Sequence, residues 1–358
     1  MNDWLTWPGA PAVLVTVARA EGSVPREAGA KMLVTADLQF GTIGGGHLEH
    51  RALDIARSML AAHLPARGDG AAAELPRYER FPLGPSLGQC CGGVVWLAFE
   101  HAEGDVAAVL QALRTRRDAD SWRYAALDGA PACGVVDADG RHLAGAQPPA
   151  ALPRHCSAAA EGQATPAAAE VAGTKAAGTK AAAAEASVVA DQTGRRWLID
   201  PALAPRAHLV LFGAGHVGAA IVRALAGLPC TITWIDERED MFPPGRPENV
   251  TIEATDTPEA CVASAPPGAS YLVMTHSHAL DQRLAETILR RGDAGWFGMI
   301  GSDTKRAQFS SRLAAKGLDA ARMVCPVGLP GIINKAPAVI AASVAAQLLM
   351  VWEDQTKE

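Results

Sequence analysis

Two adjacent cysteines, Cys90 and Cys91, are the residues that most directly indicate a chemical function, by their type and by the sequence around them. They stand in the glycine-flanked run Gly88-Gln-Cys-Cys-Gly-Gly93, just before an expected strand. A disulfide between neighbouring cysteines is strained, and a zinc site would need further ligands at a regular spacing, which this stretch lacks. Because the flanking glycines leave the thiols accessible, we predict a reactive or metal-ligating thiolate here. The alternative is a buried cysteine that acts as a small hydrophobic residue.

Two glycine-containing loops, GSVPREAGAKM and GTIGGGHLE, precede this run and have the features of an anion site. The second passes through Gly44, Gly45 and Gly46 into a helix, and a turn of this kind directs backbone N–H groups towards an anion. Arg26, in the first loop, could add a guanidinium to the same site. A purely structural turn, with Arg26 in solvent, is the alternative.

A third glycine-rich turn has the spacing of a dinucleotide-binding loop. Gly213, Gly215 and Gly218 follow the apolar run HLVLF and open a helix, and Asp236 ends the next strand. In such a turn the first glycine makes the bend, the second admits a pyrophosphate and the third lets helix and strand approach, while the acidic residue binds ribose hydroxyls. The same glycines could serve helix–sheet packing alone, so a nucleotide ligand remains one of two readings.

Polar residues follow two further expected strands. His276 and His278 come after YLVMT, and Asp281 follows them closely. We expect these residues to line a ligand cleft, and we favour this interpretation over a metal site. Lys305 and Arg306 lie in the first turn of a helix after GWFGMIG, where cations oppose the helix dipole unless an anion is bound. They are therefore candidate phosphate contacts, or else part of a solvated helix start.

Hydrophobic periodicity places these motifs on two domains of different type. Residues 1–150 combine β-branched strands with helices in the pattern of an N-terminal mixed α/β domain. Residues 151–195 form an Ala-rich linker or insertion, too poor in large apolar side chains to build a core. Residues 196–358 alternate apolar strands with helices, which predicts a Rossmann-like, doubly wound parallel sheet.

Composition narrows the class of protein. The chain has 358 residues, a net charge of −6 and 49% hydrophobic residues, and it has no Lys/Arg-rich stripe, so we expect no nucleic-acid partner. No long uncharged apolar run predicts a membrane span, and the N-terminus lacks the basic region of a secretory signal. An odd set of seven cysteines without a repeating framework is typical of reduced thiols in a cytoplasmic protein.

The ordered set of motifs resembles a known family. GSVPREAGAKM, GTIGGGHLE, GQCCGG, GAGHVG, THSHALD, IGSDTKRAQF and PVGLPGI with KAPAVIAASVAAQLL are similar to those of the xanthine dehydrogenase accessory proteins, the XdhC/CoxI family. The resemblance implies a maturation factor without catalytic residues. Such a protein binds the molybdenum cofactor (molybdopterin), protects it, supports its sulfuration by a cysteine desulfurase and inserts it into apo xanthine dehydrogenase. It further implies Cys91 as the molybdenum contact, with Cys90 as second choice. We also expect a homodimer, with the apolar C-terminal helix as a packing or dimer surface.

A second class of function stays open. The Rossmann half could bind NAD(P) or another nucleotide, and the protein would then be an NAD(P)-dependent oxidoreductase with His276 or His278 as acid–base. That reading leaves the first domain and both neighbouring cysteines unexplained. Turnover of NADH or NADPH would separate the two classes.

Overall fold

The computed structural model describes residues 3–7, 9–63, 76–84, 92–149 and 185–355, which separate into two compact units. The N-terminal unit extends to Ala204 and the C-terminal unit begins at Pro205. Residues 151–184 of the expected linker lie outside the described residues. The boundary between the two domains differs from the expected one. Residues 187–190, expected in the linker, and residues 196–202, expected in the Rossmann-like domain, form two strands of the N-terminal unit.

The first sheet of the N-terminal unit is antiparallel, with strand order β3-β2-β1-β5-β4. Its strands are β1 (Val13–Glu21), β2 (Lys31–Val34), β3 (Gln39–Gly41), β4 (Arg77–Pro82) and β5 (Val94–His101). Helix α1 (Gly46–His63) covers one face, where Ile55 and Met59 pack with Val13 and Val15 of β1. Leu14 points the other way, so β1 is apolar on both faces because both are buried.

A second antiparallel sheet faces that other side, with strand order β8-β7-β6-β10-β9. Its strands are β6 (Ser121–Ala126), β7 (Cys133–Asp137), β8 (His142–Gly145), β9 (Ser187–Ala190) and β10 (Arg196–Ala202). Helix α2 (Gly104–Thr115) contributes Val109 and Leu113 to the shared core, which also holds Leu14 and Leu198.

A buried ion network joins the two sheets. Arg123 is fully buried, and its guanidinium donates to Glu100 at 2.8 Å and to Asp200 at 2.9 Å. The Lys31 ammonium is 2.7 Å from the other Asp200 oxygen, and Arg123 also lies 3.4 Å from the Thr16 hydroxyl. Two cations thus balance two carboxylates, which is the condition under which buried charges are tolerated.

The C-terminal unit confirms the doubly wound parallel sheet, with strand order β13-β12-β11-β14-β15-β16. Its strands are β11 (Ala207–Phe212), β12 (Cys230–Asp236), β13 (Val250–Ala254), β14 (Ser270–Val273), β15 (Trp296–Met299) and β16 (Met323–Val324). Its helices are α3 (His216–Leu225), α4 (Pro258–Ser264), α5 (His278–Arg291), α6 (Asp303–Ala314) and α7 (Pro337–Gln355). One core lies under α3 and α7 and another under α4, α5 and α6. The order reverses direction at β11, and ligands of such sheets bind at the carboxyl ends of the strands there.

Helix α7 is, among the described helices, the one long and apolar enough to cross a membrane by length and composition. It belongs instead to the core of the C-terminal unit, where Val344 and Leu348 are fully buried against the sheet and α3. This packing buries 33% of the apolar window of α7, and Met350 on the same helix is exposed.

Candidate functional site

Two segments of the N-terminal unit converge on the loop that follows β1, one at Gly93, the second residue after Cys91 in the sequence, and one at Gly44. The Gly93 amide donates to the Ser23 carbonyl at 3.0 Å, and a Cβ placed on Gly93 would overlap the carbonyl oxygens of Ser23 and Glu21. The contact therefore requires glycine at this position. It anchors the strand that follows GQCCGG to the loop that carries Arg26.

The same loop packs on the glycine-rich turn before α1. A Cβ placed on Gly44 would lie 2.6 Å from Pro25 Cβ and 3.2 Å from Arg26 Cγ, and Gly44, Gly45 and Gly46 all have positive φ angles. The structure thus brings Arg26 beside Gly44, the first of the three glycines. A Cβ on Gly45 would meet no atom of the described residues within 4 Å, so no described side chain covers the turn on that side.

Part of the expected anion site is filled by a carboxylate of the chain itself. Glu49, in the first turn of α1, accepts hydrogen bonds from Ile43 N at 2.9 Å and Gly45 N at 3.2 Å. The Thr42 hydroxyl and the Gln39 amide also donate to it. Partial burial raises the pKa of Glu49, but these hydrogen bonds outweigh it and hold the pKa below its usual value. The sequence analysis missed this residue, although an acidic residue near a helix start that reaches back to preceding N–H groups is a known capping signal.

Arg26 is paired but accessible. Its guanidinium donates to Glu27 at 2.8 Å, and this hydrogen bond raises the pKa of Arg26 and lowers that of Glu27. Glu27 has 61% of its side chain exposed, so an incoming anion can displace it at little cost. Cys90 and Cys91 lie outside the described residues, so their predicted roles stay predictions.

In the C-terminal unit, the three glycines after β11 differ in the space around them, and a ligand role for Gly215 stays a prediction. Gly213 has a φ of 119°, and a Cβ there would overlap the Met274 carbonyl oxygen. A Cβ on Gly218 would overlap the Gly213 carbonyl oxygen, so this glycine permits the close approach of α3. A Cβ on Gly215 would enter open space, and no side chain caps α3. Space and unsatisfied N–H groups at this helix start are what a phosphate needs.

Asp236 lies beside this turn with only 3% of its side chain exposed. Its carboxylate accepts from Ala214 N at 2.7 Å and from Arg238 Nε at 2.9 Å. Burial raises the pKa of Asp236, yet the hydrogen bonds from Arg238 and Ala214 lower it below the usual value. Asp236 thus braces the turn, and any ribose hydroxyl would share its carboxylate with Arg238, a residue that the sequence analysis did not consider.

His276 lines a small recess together with Gly213, Asp236 and Thr275, at the carboxyl ends of the central strands. Both His276 and His278 are exposed, but His278 begins α5, with its ring centre 6.5 Å from that of Phe309. The two histidines therefore have different surroundings. Within the part of the chain that the structure describes, no group of three or more His, Cys, Asp or Glu side chains could hold a metal ion.

Asp281 and Lys305 form a buried pair. Lys305 Nζ is 2.8 Å from Asp281 Oδ2, and the Thr275 hydroxyl and amide donate to Asp281 Oδ1 at 2.7 and 3.1 Å. The predicted phosphate contact Lys305 is thus engaged by a carboxylate, while the neighbouring Arg306 is exposed. Thr275, also missed by the sequence analysis, links the end of β14 to α5.

Comparison with known proteins places these two regions in one family. Residues 209–348 match the model of the XdhC Rossmann domain, and residues 7–67 match that of the XdhC and CoxI family. The chain is 31% identical over 150 residues to the uncharacterized protein YqeB of Escherichia coli K12. That alignment covers 41% of this chain and 27% of YqeB, so the chain spans less than a third of that relative. A Bacillus halodurans protein, described as a xanthine dehydrogenase in its crystal structure, has the same fold. It has a TM-score of 0.70 and 18% identity, over 98% of this chain and 94% of that one.

Proposed function

Since the chain belongs to the XdhC and CoxI family, we propose that it is an accessory protein in the maturation of xanthine dehydrogenase and not itself a dehydrogenase. It binds the molybdenum cofactor, protects it from oxidation and holds it while a cysteine desulfurase supplies the sulfido ligand. It then inserts the cofactor into apo xanthine dehydrogenase. The proposal includes a cytoplasmic location and a homodimer.

One observation supports the cofactor part of this proposal: Gly93 and the glycine-rich turn both pack on the loop that follows β1. Gly93 contacts Ser23, and Pro25 and Arg26 of that same loop pack on Gly44. The described parts of these family motifs are thereby held together, and Cys90 and Cys91 precede Gly92 and Gly93 in the sequence. Such close contacts, made by backbone and glycine, indicate that the relative position of these loops is important.

The described residues fit a phosphorylated pterin in two respects. Arg26 offers a guanidinium to the phosphate, since its present partner Glu27 is mostly exposed. A Cβ on Gly45 or Gly92 would meet no atom of the described residues within 4 Å, which leaves the backbone there accessible to a ligand as far as the described part of the chain is concerned. Bound there, the cofactor would supply a thiophilic metal centre, for which the Cys91 thiolate is a soft ligand.

The experiment for this proposal is anaerobic capture of isolated molybdenum cofactor, followed by gel filtration and measurement of molybdenum and pterin fluorescence. We expect near-stoichiometric retention by the wild-type protein and its loss in Cys91→Ser. Cys261→Ser, on α4 of the other unit, is the matched control and should retain the cofactor. Retention by Cys91→Ser would exclude this thiol, and no retention by well-folded wild type would exclude the carrier function.

We further propose that the C-terminal unit binds a nucleotide, with its phosphate at the start of α3. The open space at Gly215 and the absence of a side-chain cap on α3 favour this ligand. Incubation with NADH or NADPH should raise the melting temperature without turnover of a carbonyl substrate. Turnover would instead favour the NAD(P)-dependent oxidoreductase, with His276 at the carboxyl ends of the strands as its acid–base.

The homodimer is supported by apolar side chains on the surface of the C-terminal unit. Ile333, in the loop before α7, is 89% exposed, and Met350 on α7 is 59% exposed. Water contact with such residues is unfavourable, and a second protein surface would relieve it. Sedimentation of wild type and Ile333→Asp tests this, with a dimer expected for the former and a shift towards monomer for the latter.

A further inference from the structure

The segment at the end of β12 contains both residue types by which Rossmann-like sheets distinguish nucleotides. It reads Asp-Glu-Arg-Glu-Asp over residues 236–240, and its first residue contacts the turn before α3, where the proposed phosphate would bind. An acidic residue near the end of such a strand binds a ribose 2′-hydroxyl, whereas a nearby arginine accommodates a 2′-phosphate. Because both types are present here, the sequence leaves the choice of nucleotide open.

The guanidinium of Arg238 is engaged by Asp236. Arg238 Nε lies 2.9 Å from Asp236 Oδ1, and Arg238 Nη2 lies 3.2 Å from Asp236 Oδ2, so the contact has two points. The backbone amides of Arg238 and Ala214 donate to the same two oxygens, at 3.1 and 2.7 Å. A carboxylate has about four acceptor positions, and these four hydrogen bonds use them. Asp236 therefore keeps no acceptor position for a ribose while Arg238 stays in place.

Glu237 is the next carboxylate along the segment, and it is available to a ribose. It lines the recess at the carboxyl ends of the central strands, together with Thr275 and His276, and it is exposed. Among the described residues of the C-terminal unit, the ion pairs involve other carboxylates, so Glu237 keeps its acceptor positions. An ionised carboxylate in such a recess accepts hydrogen bonds from ribose hydroxyls.

The charges around Glu237 are mostly negative. The hydrogen bond to Asp236 is the main cause of the raised pKa of Arg238, and the charges of Asp240 and Glu237 add to it, so both acids act at this place. Arg283 on α5 lies within electrostatic reach of Glu237, but its Nε donates to a carboxylate of α4 at 2.6 Å. This group of residues thus contains two cations that each have a carboxylate partner, and two further carboxylates that have none.

A 2′-phosphate and a 2′-hydroxyl meet these charges differently. A phosphate monoester carries a charge of about −1.5 to −2 at pH 7. Beside uncompensated carboxylates it would be repelled, over a distance of about 8 Å at physiological ionic strength. A hydroxyl carries no charge and donates a hydrogen bond to a carboxylate. The recess therefore disfavours the phosphorylated ribose and accepts the free one.

We propose that the C-terminal unit selects a nucleotide with a free ribose 2′-hydroxyl, such as NADH, over one with a 2′-phosphate, such as NADPH. Glu237 accepts hydrogen bonds from the ribose hydroxyls, and Glu237 and Asp240 together repel a 2′-phosphate. Asp236 and Arg238 form a closed pair that shapes the turn and binds neither group. The inference rests on the proposed nucleotide binding and deepens it, because it names the class of nucleotide and the residues that select it.

The test is fluorescence titration of the full-length protein with NADH and with NADPH. Wild type should bind NADH at least about tenfold more tightly, and this ratio should fall as salt is raised from about 0.05 to 0.5 M, because salt screens the repulsion. Glu237→Gln should weaken NADH binding about tenfold, since a charge-assisted hydrogen bond becomes a neutral one. Glu239→Gln, at an exposed neighbouring position, should bind NADH like wild type. Asp240→Asn should leave NADH binding unchanged and strengthen NADPH binding.

The outcomes separate this inference from the proposed nucleotide binding. If wild type binds NADPH as tightly as NADH or more tightly, the selection is wrong, while nucleotide binding itself stands. Unchanged NADH affinity in Glu237→Gln overturns the assignment of the ribose to this carboxylate. If folded wild type binds neither dinucleotide at millimolar concentration, both the inference and the nucleotide function of the C-terminal unit fail.

Discussion

The ammonium of Lys305 donates a hydrogen bond to the buried carboxylate of Asp281, with 2.8 Å between Lys305 Nζ and Asp281 Oδ2. Asp281 has 1% of its side chain exposed and Lys305 14%, and Thr275 donates to the second carboxylate oxygen. This contact joins the ends of β14 and β15 to the first turns of α5 and α6. A phosphate at this end of the sheet would have to compete with Asp281 for Lys305.

Lys305→Met should destabilise the C-terminal unit by about 3–5 kcal/mol, because it leaves the Asp281 carboxylate buried without its cation. Urea denaturation measures the loss. Arg306→Met removes an exposed cation one residue away and should change stability by less than about 0.5 kcal/mol. Equal effects of the two substitutions would contradict the buried pair.

Arg123 forms the buried ion pairs of the N-terminal unit, with Glu100 and Asp200. Arg123→Met should cost about 3–5 kcal/mol, since Glu100 would be left buried without this cation and Asp200 would keep only Lys31. Arg19→Met breaks an exposed ion pair with Glu21 and should cost less than about 1 kcal/mol. Hydrogen exchange of the β6 amides reports the difference, and unchanged protection in Arg123→Met would refute the proposed contribution of the network.

Most elements with a clear apolar pattern were predictable from the sequence, including the short strands β2, β14 and β15, whereas elements without one were missed. The β-branched run of β1 and the amphipathic helix α1 were predicted because each repeats its apolar pattern over several residues. Strands β9 and β10 were missed because they follow an Ala-rich segment and were assigned to it or to the next domain. Strand β13 was missed because four of its five residues are not fully buried, so its sequence VTIEA lacks an apolar pattern.

In the candidate sites, features that depend on neighbouring residues in the sequence were predictable, and contacts between distant residues were not. The expected roles of Gly213, Gly215 and Gly218 follow from spacing within one turn. The structure shows the close approaches at Gly213 and Gly218, and a phosphate at Gly215 stays a prediction. The pairing of Asp281 with Lys305 joins residues on different helices, so spacing alone could not predict it. Asp236 was expected at a ribose, but its binding of the Ala214 amide depends on how β12 lies beside β11.

Gly93→Ala and Gly92→Ala form a matched pair at the converging loops. The first substitution places a Cβ against the carbonyl oxygens of Ser23 and Glu21, and the second places it in open space. We expect Gly93→Ala to lose about 1–3 kcal/mol of stability through overpacking and to retain less molybdenum cofactor. Gly92→Ala should be as stable as the wild-type protein. Normal cofactor retention by Gly93→Ala would show that the loop contact is not needed for binding.

Glu49 should make the stability of the N-terminal unit depend on pH in the acidic range. Because hydrogen bonds lower its pKa in the folded protein, its carboxylate stabilises the fold above the unfolded-state pKa, near 4.3. That stabilisation is lost as the pH falls through the lower folded-state value. Glu49→Gln should therefore be less stable than wild type at pH 7, with a smaller difference at pH 3.5. Urea unfolding at both values measures this, and a constant difference would be inconsistent with the ionised carboxylate.

Gly215→Ala should separate ligand binding from folding in the C-terminal unit. Its new Cβ meets no protein atom and the backbone φ of −72° suits alanine, so stability should change by less than about 0.5 kcal/mol. The methyl group does, however, enter the space where a phosphate would approach the start of α3. The increase in melting temperature with NADPH should therefore be lost. Gly218→Ala is the contrasting variant, because its Cβ overlaps the Gly213 carbonyl oxygen and should lower stability without ligand. If Gly215→Ala kept the full nucleotide shift, the ligand would bind elsewhere on this unit.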